Sequence, residues 1–511
     1  MSVAELARHE PPGVPRARMM LQRAHWAATA FARYDNERVW RIVEAVAERA
    51  YADAEEFGEW AVRETGMGVA EHKRVKNELC SKGIVEAYRG QDFAGPRIDA
   101  SRKLLELPHP AGVVFALAPS TNPVSTINFK ILLSLMTRNA IVVSPHPLAR
   151  ECCVEAARRL AAAAVRAGAP DGAVQVVEEP TIPLIESLMA DETTDVILAT
   201  GGTAVVRAAY RSGNPAIGVG PGNVPALVDA TADLAAAARK LIDSKAFDNS
   251  ILCTNESVAI VEESVAAVFA KELQKAGGHV LDETEVEQVR ERLFPAGRIR
   301  LDLLGKDASA LAAAAELRVP QGTRVLVAPF ALAVPEEPLA REKLFPLLGL
   351  VTVPDVQRGI QTAQAVLRIG GAGHSAVIHS RNPRAIMAYG VAVPVLRVAV
   401  NVGGSTGSAG FDTALAPSMT IGTGFYGRSS VAENLEPAHL VQWTRVAYAS
   451  DRSVPFDEFE GIDPWSALPD ARAAVTRASA NGDATDPRDA DLVREEIRRI
   501  VVEELRELVG R

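Results

Sequence analysis

Cys253 is the residue whose type and setting first suggest chemistry in this chain. It lies in Phe247-Asp-Asn-Ser-Ile-Leu-Cys-Thr-Asn-Glu256, a loop-like stretch between a predicted helix and a predicted strand. A lone cysteine is more often a small buried hydrophobic residue than a nucleophile. A thiol is nevertheless partly ionised near neutral pH and intrinsically nucleophilic, so it can attack a carbonyl carbon without a dedicated triad. The resulting oxyanion needs hydrogen-bond donors, so the surroundings of Cys253 decide between the two interpretations.

Short apolar runs alternate with helical stretches along the chain that must position this cysteine. Residues 20–90 are predicted to be helical. Strands are then predicted at 111–118, 139–144, 172–177 and 195–199, with helices between them at 124–136, 148–167 and 182–190. This alternation is typical of a parallel sheet covered by helices on both faces. It resumes at 225–261 and continues as a second mixed region to about residue 421, which predicts an α/β fold.

Composition limits the classes of function. The 511 residues carry a formal net charge of −9, which argues against nucleic acid as the main partner because phosphate binding needs clustered positive charge. The four cysteines are too few for a disulfide scaffold and include no Cys-x-x-Cys pair, so no metal site is predicted. Residues 1–13 lack the apolar run of a signal peptide, and no stretch reaches the roughly 18 apolar residues of a membrane span. We therefore expect a cytoplasmic protein without a membrane partner.

Several short motifs occur in a fixed order. They are Glu64-Thr-Gly-Met-Gly68, Pro119-Ser-Thr-Asn-Pro123, Ser144-Pro-His-Pro147, Ala199-Thr-Gly-Gly-Thr203, Gly218-Val-Gly-Pro-Gly-Asn223, Phe247-Asp-Asn249 with Cys253, Glu342-Lys-Leu-Phe-Pro346 and Gly371-Ala-Gly-His374. Each string alone is weak evidence. Their order and spacing resemble the aldehyde dehydrogenase superfamily over roughly residues 25–450. Within it, the chain is similar to the coenzyme A-acylating branch, which includes microcompartment aldehyde dehydrogenases.

The resemblance implies an aldehyde dehydrogenase-like α/β architecture. It has a doubly wound cofactor-binding domain, an α/β catalytic domain and a small oligomerisation arm. We expect the dinucleotide-binding domain at 1–245, with part of the arm near 100–120. The catalytic domain is expected at 246–425, and the arm with the C-terminal segment at 426–465. The resemblance also implies a homodimer or a homotetramer.

The resemblance also assigns catalytic roles. Cys253 is implied as the nucleophile, and the side-chain amide of Asn122 and the backbone N–H of Cys253 as donors to the oxyanion. From the residues alone, Asn122 reads instead as a turn residue before a proline. His374 is the remaining titratable helper, which either assists an incoming thiol or contacts the cofactor. A histidine after a Gly-x-Gly turn is equally well explained as a hydrogen-bonded loop residue.

Two glycine-rich stretches are candidates for cofactor binding. Gly201 and Gly202 follow a predicted strand and open a helix, where backbone N–H groups can approach a pyrophosphate. A turn without a ligand explains the same spacing. The second stretch, Gly218-Val-Gly220-Pro-Gly222, lacks the G-x-G-x-x-G spacing of a dinucleotide fingerprint and precedes a strand. By resemblance, this stretch and Gly220 within it lie beside the nicotinamide and the substrate.

Other cofactor contacts are implied by the resemblance. Glu342 looks like the ligand to the nicotinamide ribose, the alternative being a solvated charge at a helix end. Ser144 stands where hydrolytic relatives carry a lysine for the adenosine ribose. An acidic residue that would repel a 2′-phosphate is not evident there, so NAD is predicted and NADP stays open. The remaining implied contacts are Thr121, Pro123, His146 and Phe345.

Val219 bears on the fate of the thioester that remains on Cys253 after hydride transfer. Hydrolytic relatives carry a glutamate there to activate water, and an alkyl side chain cannot take a proton. Coenzyme A, whose thiol is more acidic than water, is therefore the predicted acyl acceptor. The alternatives are a hydrolytic enzyme in which another carboxylate such as Glu256 serves as base, and a structural protein on the same fold. Ile251, Leu252 and Thr254 flank Cys253 and no basic residue is adjacent to bind a long anionic chain, which predicts a short-chain aldehyde.

The C-terminal tail differs in composition from the rest of the chain. Residues 466–490 are predicted to be a linker because residues 471–490 are rich in Ala, Asp, Arg and Ser. Residues 491–511 are predicted to form an amphipathic helix, with apolar side chains recurring every three or four positions from Val493 to Leu508. This segment resembles the encapsulation peptides that attach enzymes to bacterial microcompartment shell proteins. Packing on its own oligomer, or self-association as a coiled coil, fits the periodicity equally well.

Overall fold

The computed structural model describes residues 13–465 of the chain. A compact unit ends at Asp451, and a second unit begins at Arg452. The α-helices are α1 (Val14–Phe31), α2 (Asn36–Ala52), α3 (Ala54–Thr65), α4 (Ala70–Glu78), α5 (Ile84–Tyr88), α6 (Pro123–Met136), α7 (Arg150–Arg166), α8 (Ile182–Ala190), α9 (Thr203–Arg211), α10 (Leu234–Ala246), α11 (Glu263–Lys275), α12 (Glu283–Leu293), α13 (Ala308–Ala315), α14 (Val356–Ile369), α15 (Pro383–Ala392) and α16 (Gly404–Gly407). The strands are β1 (Arg97–Asp99), β2 (Leu104–Pro110), β3 (Val113–Leu117), β4 (Ala140–Ser144), β5 (Val174–Val176), β6 (Val196–Thr200), β7 (Ala216–Val219), β8 (Val224–Val228), β9 (Glu256–Glu262), β10 (Gly278–Val280), β11 (Val325–Pro329), β12 (Leu347–Val353), β13 (Ala376–His379), β14 (Val398–Val400) and β15 (Val441–Ala447).

The first sheet is parallel and has the strand order β5-β4-β3-β6-β7. The chain moves outward from β3 through β4 to β5 and then returns to the other side of β3 with β6. This reversal makes the crevice between the carboxyl ends of β3 and β6 a topological switch point, where open α/β sheets bind ligands. The predicted doubly wound arrangement is confirmed. Asn122 follows β3 and Gly201 follows β6, so both lie at this edge.

The second sheet is also parallel, with the order β10-β11-β12-β9-β8-β13-β14. Its strands are buried on both faces because successive side chains point in opposite directions. Leu227 and Ile260 pack in one hydrophobic cluster, whereas Ala226 and Ala259 pack in the cluster on the opposite face. This double burial explains why the strands read as continuous apolar runs rather than as alternating ones.

The link between the two sheets is short. Strand β7 ends at Val219 in the first sheet, and β8 begins at Val224 in the second. Strand β8 thus lies within the predicted 1–245 domain, but the strands that it pairs with, β9 and β13, lie outside it. The glycine-rich stretch therefore connects the carboxyl edge of the first sheet to the amino edge of the second. Cys253 precedes β9, which pairs with β8, so the cysteine lies at that same amino edge. The sheet topology thus brings the nucleophile loop towards the switch point.

A third, antiparallel sheet joins distant parts of the chain in the order β1-β2-β15. Its strands fall in the segments where the arm was predicted, and its role in oligomerisation stays a prediction. The Arg97 guanidinium lies 3.8 Å from the centroid of the Trp443 ring.

No helix among residues 13–465 is long and apolar enough to cross a membrane. The predicted linker at 466–490 and the predicted helix at 491–511 lie outside the described residues.

Candidate active site

The loop that leads to Cys253 has an unusual backbone. Asp248, Asn249 and Ser250 have φ values of 50°, 50° and 65°, in the left-handed region that non-glycine residues rarely adopt. Such a conformation costs roughly 1–2 kcal/mol per residue, so surrounding contacts must hold it. The side chain of Asn249 donates to the Gly305 carbonyl at 2.8 Å. The local fold is therefore imposed by tertiary contacts rather than by the preferences of these residues.

Helix α4 supplies most of those contacts. The backbone N–H of Asp248 donates to Nδ1 of His72 at 2.8 Å, and the Asp248 carboxylate accepts from the Val69 N–H at 2.7 Å. Lys73 and Lys76 also donate to this carboxylate, and both lysines are only 3% exposed. Sequence reasoning missed these residues, because charged side chains on a short helix usually face solvent. The available signal was the spacing of His72, Lys73 and Lys76, which places them near one face of a helix.

Asn122 is the N-cap residue of α6 and is 7% exposed. Its side-chain oxygen accepts from Nζ of Lys76 at 2.6 Å, and its Nδ2 donates to Oγ1 of Thr121 at 3.2 Å. Its backbone carbonyl accepts from Oγ1 of Thr126 at 2.6 Å. The residue is thus both a turn residue before Pro123 and a buried amide held in a defined orientation. Its role as oxyanion donor stays a prediction.

Glu342 lies against the nucleophile loop through Gly222. Its Oε1 accepts from the Gly222 N–H at 3.1 Å. A β-carbon added at Gly222 would overlap the Cys253 carbonyl oxygen and would lie 3.4 Å from the same carboxylate oxygen. Only a glycine allows this approach. Burial raises the pKa of Glu342 to about 7, although the Gly222 N–H and the charge of Lys245 oppose the shift.

Cys253 differs from the other cysteines in its accessibility. Cys80, Cys152 and Cys153 are buried, whereas Cys253 is partly exposed. Desolvation by the surrounding protein raises the pKa of the Cys253 thiol to about 12, and the Glu342 carboxylate adds to the effect. The charges of Arg397 and Lys76 act in the opposite direction. The surroundings of Cys253 therefore favour the neutral thiol.

Replacing Glu342 with Gln is expected to speed the alkylation of Cys253 by iodoacetamide in the cofactor-free protein at pH 8. The carboxylate is ionised at that pH and disfavours the thiolate, whereas Gln keeps its size without its charge. We expect roughly a threefold to tenfold faster reaction, because one pKa unit is a tenfold change in thiolate. Glu336→Gln, at an exposed position of the same segment, is the control and should leave the rate unchanged. Slower alkylation in Glu342→Gln would contradict the expected effect of the charge.

His374 is fully buried. Its Nδ1 lies 2.9 Å from Oγ of Ser375, and its Nε2 has no hydrogen-bond partner among the described residues. Burial lowers its pKa to about 3, and the nearby Arg397 guanidinium, which donates to the His374 carbonyl, adds to the shift. The imidazole is neutral and a weak proton acceptor in this arrangement. Its contacts fit a hydrogen-bonded loop residue, and a catalytic role stays a prediction.

The pyrophosphate candidates stand at the switch point. Gly202 is the N-cap of α9, and a β-carbon there would meet nothing within 4 Å. A β-carbon at Gly201 would meet only the side chain of Val205, at 3.8 Å or more. The first N–H groups of α9 thus border open space, which fits a phosphate group. At the end of β4, Oγ of Ser144 is buried without a hydrogen-bond partner among the described residues. These features fit a dinucleotide along this edge.

The remaining predicted contacts lie in three places. Thr121, Pro123 and Gly220 lie at the carboxyl edge of the first sheet, next to Asn122 or in the link between the sheets. His146 is exposed beyond β4, where its Nδ1 accepts from the Leu148 N–H at 3.2 Å. Phe345 is fully buried, with its ring centroid 6.1 Å from that of Phe294. Phe345 therefore supports the segment after Glu342 from within the hydrophobic core.

Two side chains bear on water activation. Val219 ends β7 and is 3% exposed, so an alkyl group occupies this position. Glu256 is fully buried, and its two carboxylate oxygens accept from Oγ of Ser244 and from the Gly404 N–H, each at 2.6 Å. Burial raises the pKa of Glu256, with these hydrogen bonds acting against the shift. Both oxygens of Glu256 are thus engaged in holding the loop before α16.

Comparisons with known proteins agree on one family. The aldehyde dehydrogenase family model matches residues 6–291. The chain is 36% identical over 428 residues to an aldehyde-alcohol dehydrogenase of Clostridium acetobutylicum, a match covering 82% of this chain and 49% of the relative. The chain spans about half the length of this relative and of a bifunctional aldehyde-alcohol dehydrogenase of Escherichia coli.

Solved structures resemble the chain over nearly their whole length. An acetylating aldehyde dehydrogenase from Geobacillus thermoglucosidasius superposes with a TM-score of 0.84 and 36% identity, covering 86% of this chain and 97% of that structure. A propionaldehyde dehydrogenase from a fucose utilisation bacterial microcompartment of Clostridium phytofermentans has a TM-score of 0.77 and 26% identity, covering 84% and 97% respectively.

Proposed function

Because the chain belongs to the aldehyde dehydrogenase family, we propose that it converts a short-chain aldehyde, NAD and coenzyme A to acyl-CoA and NADH through a thioester on Cys253. The reaction is reversible. The acetylating relative from Geobacillus thermoglucosidasius supports this activity. The single observation that carries the choice of acyl acceptor is the buried Val219, which stands where hydrolytic relatives carry the glutamate that activates water.

The residues of the chain divide the proposed work. The first N–H groups of α9 would face the pyrophosphate of NAD, and Glu342 would bind its nicotinamide ribose. Bound NAD supplies the hydride acceptor. The thiol of Cys253 gives up its proton to solvent, its sulfur attacks the aldehyde carbon, and the side-chain amide of Asn122 and the Cys253 N–H bind the developing oxyanion. Loss of hydride from the former aldehyde carbon leaves an acyl thioester on the cysteine.

Coenzyme A completes the cycle. Its thiol gives up a proton to solvent, the resulting thiolate attacks the acyl carbon, and the same two donors bind the second oxyanion. The carbon–sulfur bond to Cys253 then breaks, acyl-CoA leaves, and the cysteine takes up a proton. General-base assistance is typically worth about 10²- to 10⁴-fold, so attack by water without such a base should be slow.

A hydrolytic activity is the second candidate, and Glu342 favours it. This carboxyl group has a pKa near neutrality and lies close enough to influence the Cys253 thiol. A free Glu342 carboxylate would be able to accept a proton from water. When the ribose hydroxyls engage Glu342, that base is occupied. Hydrolysis therefore requires a free Glu342 carboxylate, and measuring which acyl acceptor is used distinguishes the two activities.

An acceptor assay tests the proposal. With NAD and a panel of short aldehydes, the protein is expected to form acyl-CoA at least about 100-fold faster with coenzyme A than it forms free acid without it. NADH absorbance gives the rate, and chromatography identifies the product. NADP in place of NAD measures the cofactor preference in the same assay. Rapid, stoichiometric release of free acid without coenzyme A would overturn the proposal and favour the hydrolytic activity.

The assembly state belongs to the same proposal. A homodimer or homotetramer built through the β1-β2-β15 sheet is supported by the family resemblance. Attachment to a microcompartment shell protein through residues 491–511 is supported by the apolar periodicity of that segment. The structural similarity to a microcompartment propionaldehyde dehydrogenase adds to this support. Within the cytoplasm, we propose that the enzyme acts inside such a compartment.

A further inference from the structure

Lys76 connects the two loops that carry the proposed chemistry. Its Nζ lies 2.6 Å from Oδ1 of Asn122 and also donates to Oδ2 of Asp248, five positions before Cys253. The lysine side chain is only 3% exposed, and the Asp248 side chain is fully buried. A single ammonium group, on a helix that belongs to neither loop, therefore touches both of them.

We propose that Lys76 is a positioning residue that fixes Asn122 as an amide donor to the oxyanion and strengthens that donor. The inference rests on the proposed function, since it assigns Lys76 a part in the same reaction. Lys76 acts through Asn122 rather than on the substrate.

The chemistry of the two side chains fixes the orientation of the amide. An ammonium group has three donors and no acceptor, so the atom of Asn122 that it contacts must be the carbonyl oxygen. The NH2 group of Asn122 is therefore turned away from Lys76. One of its two N–H groups reaches Oγ1 of Thr121 at 3.2 Å, which leaves the other for an oxyanion. Without Lys76, the amide could rotate and present its oxygen to the oxyanion instead.

The same contact changes the strength of the donor. A cation at the amide oxygen withdraws electron density from the nitrogen, so the N–H groups become more positive. Charge-assisted hydrogen bonds are shorter and roughly twice as strong as neutral ones, and a network in a buried site polarises its members. The effect grows as negative charge develops on the carbonyl oxygen, in the transition state for attack and in the tetrahedral intermediate that follows. Lys76 should therefore affect kcat more than substrate binding.

Asp248 keeps this ammonium group in place. Its carboxylate accepts from Lys73, Lys76 and the Val69 N–H. Burial opposes ionisation of Asp248, but the charges of Lys76 and Lys73 lower its pKa, so it stays a carboxylate. A β-carbon added at Gly68 would overlap this carboxylate, so the glycine leaves the room that the network needs. The position of Lys76 is thus determined from both sides.

Lys73 provides a matched control on the same helix. It contacts the same carboxylate at 3.2 Å, and its other contact is the backbone carbonyl of Thr121 at 3.1 Å. It has no hydrogen bond to the Asn122 side chain among the described contacts. Lys73→Met removes one buried ammonium group from the network, as Lys76→Met does, while it leaves the bond to the amide oxygen in place.

A double-mutant cycle tests the proposal. We expect Lys76→Met to lower kcat by about 10- to 100-fold with the KM for NAD changed less than threefold, as loss of a transition-state interaction predicts. In the Asn122→Ala background the same substitution should change kcat less than threefold, because its target is gone. The effects of Lys73→Met and Asn122→Ala should multiply instead. Lys76→Gln, which keeps a neutral donor, should fall between the wild type and Lys76→Met.

Two results would overturn the inference. Independent, multiplying effects of Lys76→Met and Asn122→Ala would show that Lys76 does not act through the amide. If Lys76→Met lowers the rate of Cys253 alkylation as much as it lowers kcat, Lys76 acts on the thiol rather than on the amide. If Lys76→Met does not fold, as judged by circular dichroism, Lys76→Gln is put through the same cycle and judged by the same two criteria. Failure of the proposed function appears separately, as free acid formed by the wild type without coenzyme A.

Discussion

Cys253→Ala is expected to abolish NADH formation with every aldehyde, lowering kcat by about 10⁴- to 10⁶-fold, as removal of a catalytic nucleophile does in other covalent enzymes. The thiol is proposed to form the bond that holds the acyl group, and the other three cysteines are buried and offer no substitute. The truncation removes a single sulfur from a partly exposed position, so the fold should persist. The Kd for NAD, measured by fluorescence quenching, should change less than threefold.

The comparison with Cys80→Ala separates a chemical from a structural effect. Cys80 is fully buried, and desolvation raises the pKa of its thiol well above the ordinary range. Its replacement should lower the melting temperature while kcat stays within a factor of about three. Mass spectrometry of the wild type, quenched during turnover without coenzyme A, should find the acyl group on the peptide that contains Cys253. Cys253→Ala activity within tenfold of the wild type would exclude the thioester route.

The high pKa of Cys253 makes this prediction sensitive to ligands. A thiol with a pKa of about 12 is a poor nucleophile at neutral pH, and one cause is the charge of Glu342. Binding of the nicotinamide ribose to Glu342 would draw that carboxylate towards hydroxyl groups and weaken its effect on the thiol. Under the proposed ribose contact, bound NAD would weaken one cause of the raised pKa and favour the thiolate.

The fold was largely accessible from sequence because its signals are local. Apolar runs of strand length alternate with helical stretches, and the predicted strand at 139–144 corresponds closely to β4 (Ala140–Ser144). The border between the two sheets was harder to place. Strand β8 follows β7 after only four residues, and both strands look alike in sequence because both are buried on each face. Which sheet receives β8 depends on its partners, and pairing partners leave no local signature.

Of the candidate site, only the residues proposed to contact the substrate or the cofactor could be predicted from the sequence. Cys253, Asn122 and Glu342 lie in short motifs with glycine or proline, whose order carries the resemblance. The residues that hold them, such as Lys76 and Asp248, lie 172 positions apart in sequence and meet only in the folded protein. Charged residues on a helix usually remain in solvent. Only the helix face that Lys76 shares with His72 and Lys73 separates it from Arg74, whose bonds to Glu71 and Glu78 lie near the surface.

Asn122→Ala is expected to lower kcat by about 10²- to 10³-fold, the usual cost of losing one donor from an oxyanion hole. The amide is proposed to bind the oxyanion in both halves of the cycle, so the reductive direction, from acyl-CoA to aldehyde, should fall by a similar factor. The KM for NAD should change little, because the phosphates of NAD are proposed to bind at the start of α9 rather than at Asn122. Stopped-flow measurement of the first turnover, with and without coenzyme A, separates the two halves.

Asn122→Asp decides whether the loss reflects the donor or merely the contact with Lys76. Aspartate keeps the size of the side chain and offers Lys76 a stronger acceptor than the amide oxygen. If Asn122 served only to anchor Lys76 and the turn before Pro123, Asn122→Asp would fold well and retain most activity. As an oxyanion donor it is expected to do worse than Asn122→Ala, because a carboxylate facing the reaction centre repels the developing negative charge. Activity of Asn122→Asp within tenfold of the wild type would therefore remove Asn122 from the oxyanion hole, and Lys76 with it.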